Sequence, residues 1–261
     1  MEVSIGTSGY VYADWKEVFY PRGTKDFLSY YQQFFKIVEI NSTYYQEIDA
    51  SFFKNIARKT RNDFSFAVKA YSTLTHKRDD FKRAAKKFKE ALLPLSETDK
   101  LVSVLMQFPF SFRNEEKNVS YINRVHDELQ GLPINIEFRN ISWENEDVFN
   151  WLKGKNLGYC CVDVPDIENL PTRRSIVTSD IAYIRFHSRN AEKWYLGAKE
   201  RYDYLYSEEE LNEWVPGIEN MKRNSRKTII FFNNCHAGQA VRNAQMLQSI
   251  LGEEVFIGEF I

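Results

Sequence analysis

Short apolar runs alternate with longer amphipathic segments along the whole chain. Eight of the runs are brief and rich in β-branched or aromatic residues, which is typical of strands buried on both faces. They cover residues 3–7, 37–41, 64–70, 103–107, 134–138, 159–163, 182–187 and 228–233. Apolar residues recur at helical spacing in the segments between them, at 26–36, 50–60, 79–93, 114–129, 144–155, 207–221 and 238–251.

This alternation predicts an α/β protein with a single (β/α)₈ TIM-type barrel domain over residues 1–261. The competing architecture is an open doubly wound sheet, which usually begins with a glycine-rich turn for a dinucleotide. Here Gly6 and Gly9 have the wrong spacing for that turn. The connection between the sixth and seventh strands, residues 164–179, contains two prolines and no helical pattern. We therefore expect that connection to be irregular.

Composition narrows the class of protein. Hydrophobic residues make up 43% of the 261-residue chain and charged residues 27%, values typical of a globular protein. The net charge of −1 gives no support to a nucleic-acid partner, which normally requires a basic surplus. The three cysteines do not have the spacing of metal ligands. The first ten residues lack the features of a signal peptide, and no apolar window reaches the length of a membrane span. We expect a cytoplasmic protein without membrane association.

Polar side chains collect at the C-terminal ends of the predicted strands, where barrel enzymes carry their active sites. Residues two apart on a strand share a face, so Glu39 with Asn41, and Arg185 with His187, are expected to point the same way. The other strand ends contribute Lys69, Gln107, Glu137, Arg139, Asp163 and Asn233. Together they predict a ligand site, because buried charges need partners. Individual pairs, such as Glu137 with Arg139 or Asp163 with Arg185, could instead be structural ion pairs.

Candidate roles follow from side-chain chemistry. The candidate catalytic residues, which would act as general acids and bases, are Glu39, Glu137, Asp163 and His187. The candidates for substrate contact are Asn41, Lys69, His76, Gln107, Arg139, Trp143, Arg185 and Asn233. The cations among them suit an anion, and arginine suits bidentate binding of phosphate. The aromatic residues near the mouth, Tyr10, Tyr12, Trp15 and Trp143, would either contact a sugar or base, or plug the barrel.

The segments that carry these residues resemble the uncharacterised bacterial and archaeal family DUF72, also called the YecE-like family. The matches run in family order across nearly the whole chain. They are GTSGYVY at 6–12, VEINSTYY at 38–45, FAVKA at 66–70, QFP at 107–109, EFR at 137–139, YIRFH at 183–187, YSEEEL at 206–211 and FNN at 232–234. The resemblance implies a TIM-type barrel and no established activity.

Two kinds of function therefore stay open. The first is an enzyme of hydrolase or isomerase type that performs acid–base chemistry on an anionic, phosphate- or sugar-containing ligand, and two carboxylates also fit glycoside hydrolysis. The alternative is a non-catalytic barrel that binds a ligand or a nucleic acid. No cofactor is predicted. A divalent metal held by Glu39, Glu137, Asp163 and His187 is less favoured, because the interleaved cations would repel it.

Overall fold

Eight parallel strands form a nearly closed barrel in the computed structural model, which describes residues 2–253. The strands are β1 (Glu2–Thr7), β2 (Ile37–Ile40), β3 (Ser65–Lys69), β4 (Leu101–Gln107), β5 (Ile134–Glu137), β6 (Gly158–Asp163), β7 (Ile181–Phe186) and β8 (Lys227–Phe232). Each of β2 to β8 pairs with its neighbour in the chain, and β8 pairs with β1. The predicted TIM-type barrel is thus confirmed.

The seam between β1 and β2 closes through a side chain. Among the described residues these two strands share only an isolated parallel bridge. The hydroxyl of Tyr31 lies between them, where it accepts a hydrogen bond from the Thr7 amide at 2.9 Å and donates one to the Ile37 carbonyl at 3.1 Å. Gly6 makes this close approach feasible, since a Cβ there would lie 2.3 Å from the Ile37 carbonyl oxygen.

Helices connect most of the strands. They are α1 (Phe27–Tyr31), α2 (Ala50–Lys59), α3 (Phe81–Ser96), α4 (Glu116–Glu128), α5 (Glu146–Gly154), α6 (Ala198–Arg201), α7 (Glu208–Asn212), α8 (Val215–Asn224) and α9 (Gln239–Ile250). Short turns of 3₁₀ helix follow β1, β2, β5 and β8, and a π-helical turn at Thr73–Lys77 follows β3. No helix within residues 2–253 is both long and apolar enough to cross a membrane.

Two predicted helices differ from the structure. The segment 26–36 is helical only over α1, after which the backbone continues in tighter turns to Phe35. The segment 207–221 divides into α7 and α8 near Trp214, because Pro216 has no amide hydrogen and therefore favours the first turn of a new helix. The predicted capping box of Ser207 and Glu210 is present at the start of α7. The connection between β6 and β7 contains no helix, as expected.

Alternation along the strands separates two apolar cores. Side chains such as Phe66 and Phe232 face outward and pack against the helices in a large outer core. A smaller set fills the lower part of the barrel, including Ile37, Leu105 and Phe231. Charged and amide side chains occupy the inward positions between this smaller apolar core and the C-terminal ends of the strands. This layering leaves a polar layer directly under the barrel mouth.

Candidate functional site

A cavity of about 700 Å³ opens at the C-terminal ends of the strands. Loops after β1, β2, β7 and β8 surround it, and side chains from inside the barrel form its base. The lining side chains include Tyr10, Tyr12, Asn41, Tyr45, Phe52, Lys69, Arg139, Arg185, Lys199, Tyr202 and Asn233. The volume matches that of a small-molecule site.

Arg185 organises the base of this cavity. Its Nη1 donates to Oε2 of Glu137 at 2.6 Å, and its Nη2 donates to Oε1 of Glu39 at 2.7 Å. Both carboxylates are fully buried and the arginine side chain is only 2% exposed. Glu39 also accepts hydrogen bonds from the Tyr183 hydroxyl at 2.5 Å and from the Asn41 amide at 2.9 Å. One guanidinium therefore joins two carboxylates from different strands, β2 and β5.

Arg139 and His187 complete the contacts of Glu137. The Arg139 guanidinium forms an ion pair with Oε1 of Glu137, and Nε2 of His187 lies 3.3 Å from the same oxygen. The Asn233 side-chain amide lies 3.0 Å from Nδ1 of His187. If Asn233 donates there, the imidazole carries its proton on Nε2, facing the carboxylate. We call Glu39, Glu137, Arg139 and Arg185 the charged floor.

Lys69 lies beside the charged floor with a different kind of partner. Its Nζ donates to Oε1 of Gln107 at 2.9 Å and lies 4.4 Å from the centre of the Tyr44 ring. Within residues 2–253, no carboxylate lies at salt-bridge distance from this amine. Lys69 is thus a cation whose direct contacts are a neutral amide and an aromatic face.

Burial and neighbouring charge shift the protonation equilibria at the site. Burial lowers the pKa of Lys69 to about 7, and the charge of Arg185 adds to this effect. Burial also lowers the pKa of His187 to about 3, with Arg139 contributing, so its imidazole is neutral at neutral pH. Burial alone would raise the pKa of Glu137, but the charges of Arg139 and Arg185 hold it well below its usual range.

Most of the predicted strand-end residues meet at the cavity base. The structure brings together Glu39, Asn41, Lys69, Gln107, Glu137, Arg139, Arg185, His187 and Asn233. The predicted pairing of Glu137 with Arg139 is observed. The other predicted pair, Asp163 with Arg185, is not formed among these contacts, because Arg185 turns inward to the two glutamates.

Asp163 lies outside this group. Side chains two apart share a face, and Cys160 and Val162 occupy the inner face of β6, so Asp163 points outward. There it accepts hydrogen bonds from Trp214 Nε1 at 2.7 Å and Tyr206 Oη at 3.0 Å, and it pairs with Arg189 at 2.8 Å. The structure therefore places Asp163 in a hydrogen-bond network that joins β6 to the segments around α7 and α8, and not at the cavity.

Trp143 and His76 also occupy other environments. Trp143 is fully buried, stacks on Phe138 with ring centres 4.2 Å apart, and donates to the Phe112 carbonyl. It is part of the outer core, so it does not line the cavity. His76 is half-buried beside the Tyr44 ring, and burial together with the charge of Lys69 lowers its pKa to about 4.

Tyr183 and Tyr202 are site residues that the sequence analysis did not predict. Tyr183 lies two residues before Arg185 on β7, so the parity that selected Arg185 and His187 also indicates Tyr183. Tyr202 lies in the long connection after β7, where no periodic pattern points to it. Burial raises the pKa of the Tyr202 hydroxyl, but the charges of Arg139 and Arg185 outweigh burial and leave it below its ordinary value.

The described residues offer no obvious metal centre. Within residues 2–253, no group of three or more His, Cys, Asp or Glu side chains is arranged to hold a metal ion. Cys160, Cys161 and Cys235 are free and buried. Burial raises the pKa of the Cys235 thiol to about 12, so it stays protonated and unreactive.

The fold and the site define a class: a (β/α)₈ barrel with a buried, arginine-linked carboxylate pair beneath an open polar mouth. The chain belongs to the family described as protein of unknown function DUF72, whose model matches residues 4–258. The resemblance seen in the sequence is thereby confirmed.

Several relatives are similar over nearly their full length. The chain is 28% identical over 271 residues to the UPF0759 protein YunF of Bacillus subtilis (strain 168), covering 97% of this chain and 95% of that protein. A crystal structure of a DUF72 family protein from Thermotoga maritima is 38% identical with a TM-score of 0.90, covering 97% of this chain and 100% of that one. One from Enterococcus faecalis V583 is 25% identical with a TM-score of 0.87, covering 99% and 100%.

Proposed function

We propose that the cavity binds an anionic, phosphate- or sugar-containing ligand and performs acid–base chemistry on it, of hydrolase or isomerase type. The observation that carries this proposal is the surplus of positive charge at the cavity base. Lys69, Arg139 and Arg185 face the cavity, whereas the only carboxylates in the charged floor are already bound by the two arginines. An anionic group at Lys69 would supply the counter-charge that its present contacts lack.

Within this proposal, Glu39 and Glu137 hold the arginines in place. Both carboxylates are fully buried and share Arg185, and the low pKa of Glu137 makes it a weak base. Carboxylates engaged in this way are poorly suited to attack or protonate a glycosidic bond. The contacts therefore favour a positioning role for the pair over the predicted catalytic one.

Lys69 is the stronger candidate for proton transfer. A general acid or base works best when its pKa lies near the working pH, and the pKa of Lys69 is about 7. Its side chain lines the cavity, as does that of Tyr202. In this proposal Lys69 binds the anion in its protonated form and exchanges that proton with the ligand.

The aromatic lining of the cavity suits a ring-shaped ligand. Tyr10, Tyr12, Tyr45 and Phe52 are among the lining residues, and Tyr45 is 82% exposed. Aromatic faces of this kind stack on the apolar faces of sugars. The same surface also fits a barrel that binds its ligand without turnover, so binding and conversion need separate measurements.

Calorimetric titration with inorganic phosphate and with ribose 5-phosphate tests binding. The wild-type protein is expected to bind both, and Lys69→Met is expected to weaken binding by about 10-fold or more, because a charge-assisted hydrogen bond contributes about 1.5–3 kcal/mol. Lys54→Met removes one exposed charge on α2, away from the cavity lining, and should leave the affinity unchanged. Absence of binding to the wild-type protein, or equal losses in both variants, would contradict the anion site.

Conversion is measured separately by NMR of a panel of sugar phosphates incubated with the protein. Conversion that disappears in Lys69→Met but persists in Lys54→Met supports an enzyme. Binding without conversion of any panel member favours the non-catalytic alternative.

A further inference from the structure

We propose that Lys69 is a nucleophile that forms an imine with a ligand carrying an aldehyde or ketone group. The cavity would then act on anionic carbonyl compounds, such as phosphorylated aldehydes and ketones. The choice of an anionic compound rests on the proposed function, whereas imine formation rests on the surroundings of the Lys69 amine alone.

The position of the amine suits attack on a bound ligand. Lys69 is the last residue of β3, and its side chain lines the cavity. The amine contacts Gln107 and the face of Tyr44, neither of which carries a negative charge. A carboxylate partner would keep the amine protonated and its lone pair occupied, whereas an amide oxygen binds one N–H and leaves the lone pair free once the proton is lost.

The electrostatic surroundings favour the neutral amine. Desolvation combined with a nearby cation is a known way to activate a lysine nucleophile. Burial and Arg185 supply these two effects at Lys69 and give it a pKa of about 7. About half of the amines are then neutral at pH 7, compared with about one in several thousand for an ordinary lysine.

The reaction balances without a further reactant. The amine lone pair attacks the carbonyl carbon, the carbon–oxygen π electrons move to oxygen, and one N–H proton transfers to that oxygen to give a carbinolamine. The second N–H proton leaves with the hydroxyl group as water while the carbon–nitrogen double bond forms. Glu39 and Glu137 contribute by holding Arg185 in place, and the cations at the cavity base would bind the ligand's anionic group.

Lys100, a buried lysine, provides an internal comparison for the partly buried Lys69. Lys100, only 5% exposed, lies just before β4 at the opposite end of the barrel. Its amine donates to the carbonyl oxygens of Ala57 and Thr60, both at 2.7 Å, and to the Thr60 hydroxyl at 3.0 Å. All three donors of the Lys100 ammonium are used, so it is a structural cation. Burial alone therefore does not make a lysine a candidate nucleophile. Lys69 differs from Lys100 because its amine donates to a single side chain, Gln107, and its side chain lines the cavity.

The test is reductive trapping with glycolaldehyde phosphate, a small aldehyde that carries a phosphate group. Wild-type protein is incubated with the probe near pH 7, reduced with borohydride, and mapped by peptide mass spectrometry. We expect one predominant label on Lys69, none on Lys100, and loss of the Lys69 label when inorganic phosphate competes. Lys69→Arg keeps the positive charge but lacks a nucleophilic amine, so it should lose the predominant label and still bind phosphate.

The outcomes separate this inference from the proposed function. Labelling spread evenly over surface lysines, with phosphate still bound at the cavity, overturns the imine and leaves the anion site standing. Equal labelling of Lys69 by glycolaldehyde phosphate and by uncharged glycolaldehyde, without competition by phosphate, supports the imine and contradicts the anion site. The mapping uses the wild-type protein, so it does not depend on the folding of any variant.

Discussion

Replacing Arg185 with methionine is the most direct perturbation of the site. The substitution keeps an unbranched apolar stem but removes the guanidinium that joins Glu39 to Glu137. Two fully buried carboxylates then lose a partner at the same time. We expect the variant to fold with a much lower free energy of unfolding.

The magnitude follows from the contacts that remain. Breaking a buried ion pair by removing one partner costs about 3–5 kcal/mol. Glu137 keeps its ion pair with Arg139, and Glu39 keeps its hydrogen bonds from Tyr183 and Asn41, so the loss should not reach twice that value. A loss of about 3–5 kcal/mol corresponds to a fall in melting temperature on the order of 6–20 °C in a protein of this size.

Urea denaturation followed by circular dichroism measures this loss, and its pH dependence adds a second readout. The pKa of Glu137 is depressed in the folded protein, so its contribution to stability is present above the unfolded pKa near 4.5 and is lost as the pH falls through the lower folded value. Without Arg185 this depression is smaller. The difference in the free energy of unfolding between wild type and Arg185→Met should therefore be largest near neutral pH and should become smaller in acid.

Two further variants serve as controls. Arg61→Met removes a guanidinium from an exposed ion pair with Asp63 and should cost less than about 1 kcal/mol. Adding Glu39→Gln and Glu137→Gln to Arg185→Met should restore part of the lost stability, because unpaired buried charges are then absent. A cost below about 1 kcal/mol for Arg185→Met, or no gain from the added glutamines, would refute this account of the charged floor.

Three other perturbations test separate parts of the structure. Asp163→Asn should cost about 1.5–3 kcal/mol in urea denaturation, because the buried carboxylate accepts hydrogen bonds from Trp214 and Tyr206, whereas Arg189 keeps its ion pair with Glu213. Phosphate affinity should stay unchanged, and a selective loss of affinity would instead place Asp163 at the cavity. Sulfate keeps its charge across neutral pH, so its affinity, measured by calorimetry, should fall as the pH rises through about 7 and Lys69 loses its proton. In Lys69→Arg the affinity should not change over this range. An affinity independent of pH in the wild-type protein would contradict the role of Lys69 in binding the anion. Tyr31→Phe removes the hydroxyl that bonds the Thr7 amide and the Ile37 carbonyl at the seam, so the free energy of unfolding should fall by about 1–3 kcal/mol. The Thr7 amide should also exchange its hydrogen faster, and unchanged exchange would show that the hydroxyl is dispensable.

Much of the fold could be predicted from the sequence because the barrel repeats one pattern eight times. Each strand is a short apolar run and most connections are amphipathic, so errors at single boundaries do not change the architecture. The division of the segment 207–221 was missed because its apolar spacing continues past Pro216. A proline in the first turn of a helix looks, from spacing alone, like a proline inside a longer helix.

The candidate site was predicted wherever position and parity agreed. Glu39 and Asn41 at the end of β2, and Arg185 and His187 at the end of β7, alternate with apolar residues, so their shared direction is visible in the sequence. The run that ends in Asp163 is apolar on both faces, because both faces of β6 are buried. In such a strand, alternation carries no signal, and only the position at the strand end pointed to the cavity.

Loop residues were harder to place. Trp143 follows a strand end in the sequence, yet its ring packs into the outer core against Phe138. Tyr202 lies in the cavity lining although its segment has no periodic pattern. For such residues the chain path decides which side of the barrel the side chain reaches, and that path depends on contacts distant in the sequence.

The seam at Tyr31 has a consequence for how the chain folds as it is synthesised. β1 forms its ladder with β8, with Glu2 opposite Lys227, so within the barrel β1 is synthesised well before the strand with which it pairs. At about 5–20 residues per second, that interval lasts on the order of ten seconds or more. During it, the β1 side that later receives β8 is an open strand edge, which is prone to pairing with other chains. Tyr31 follows soon after β1, and its hydroxyl can hold β1 against β2 while that edge is still open.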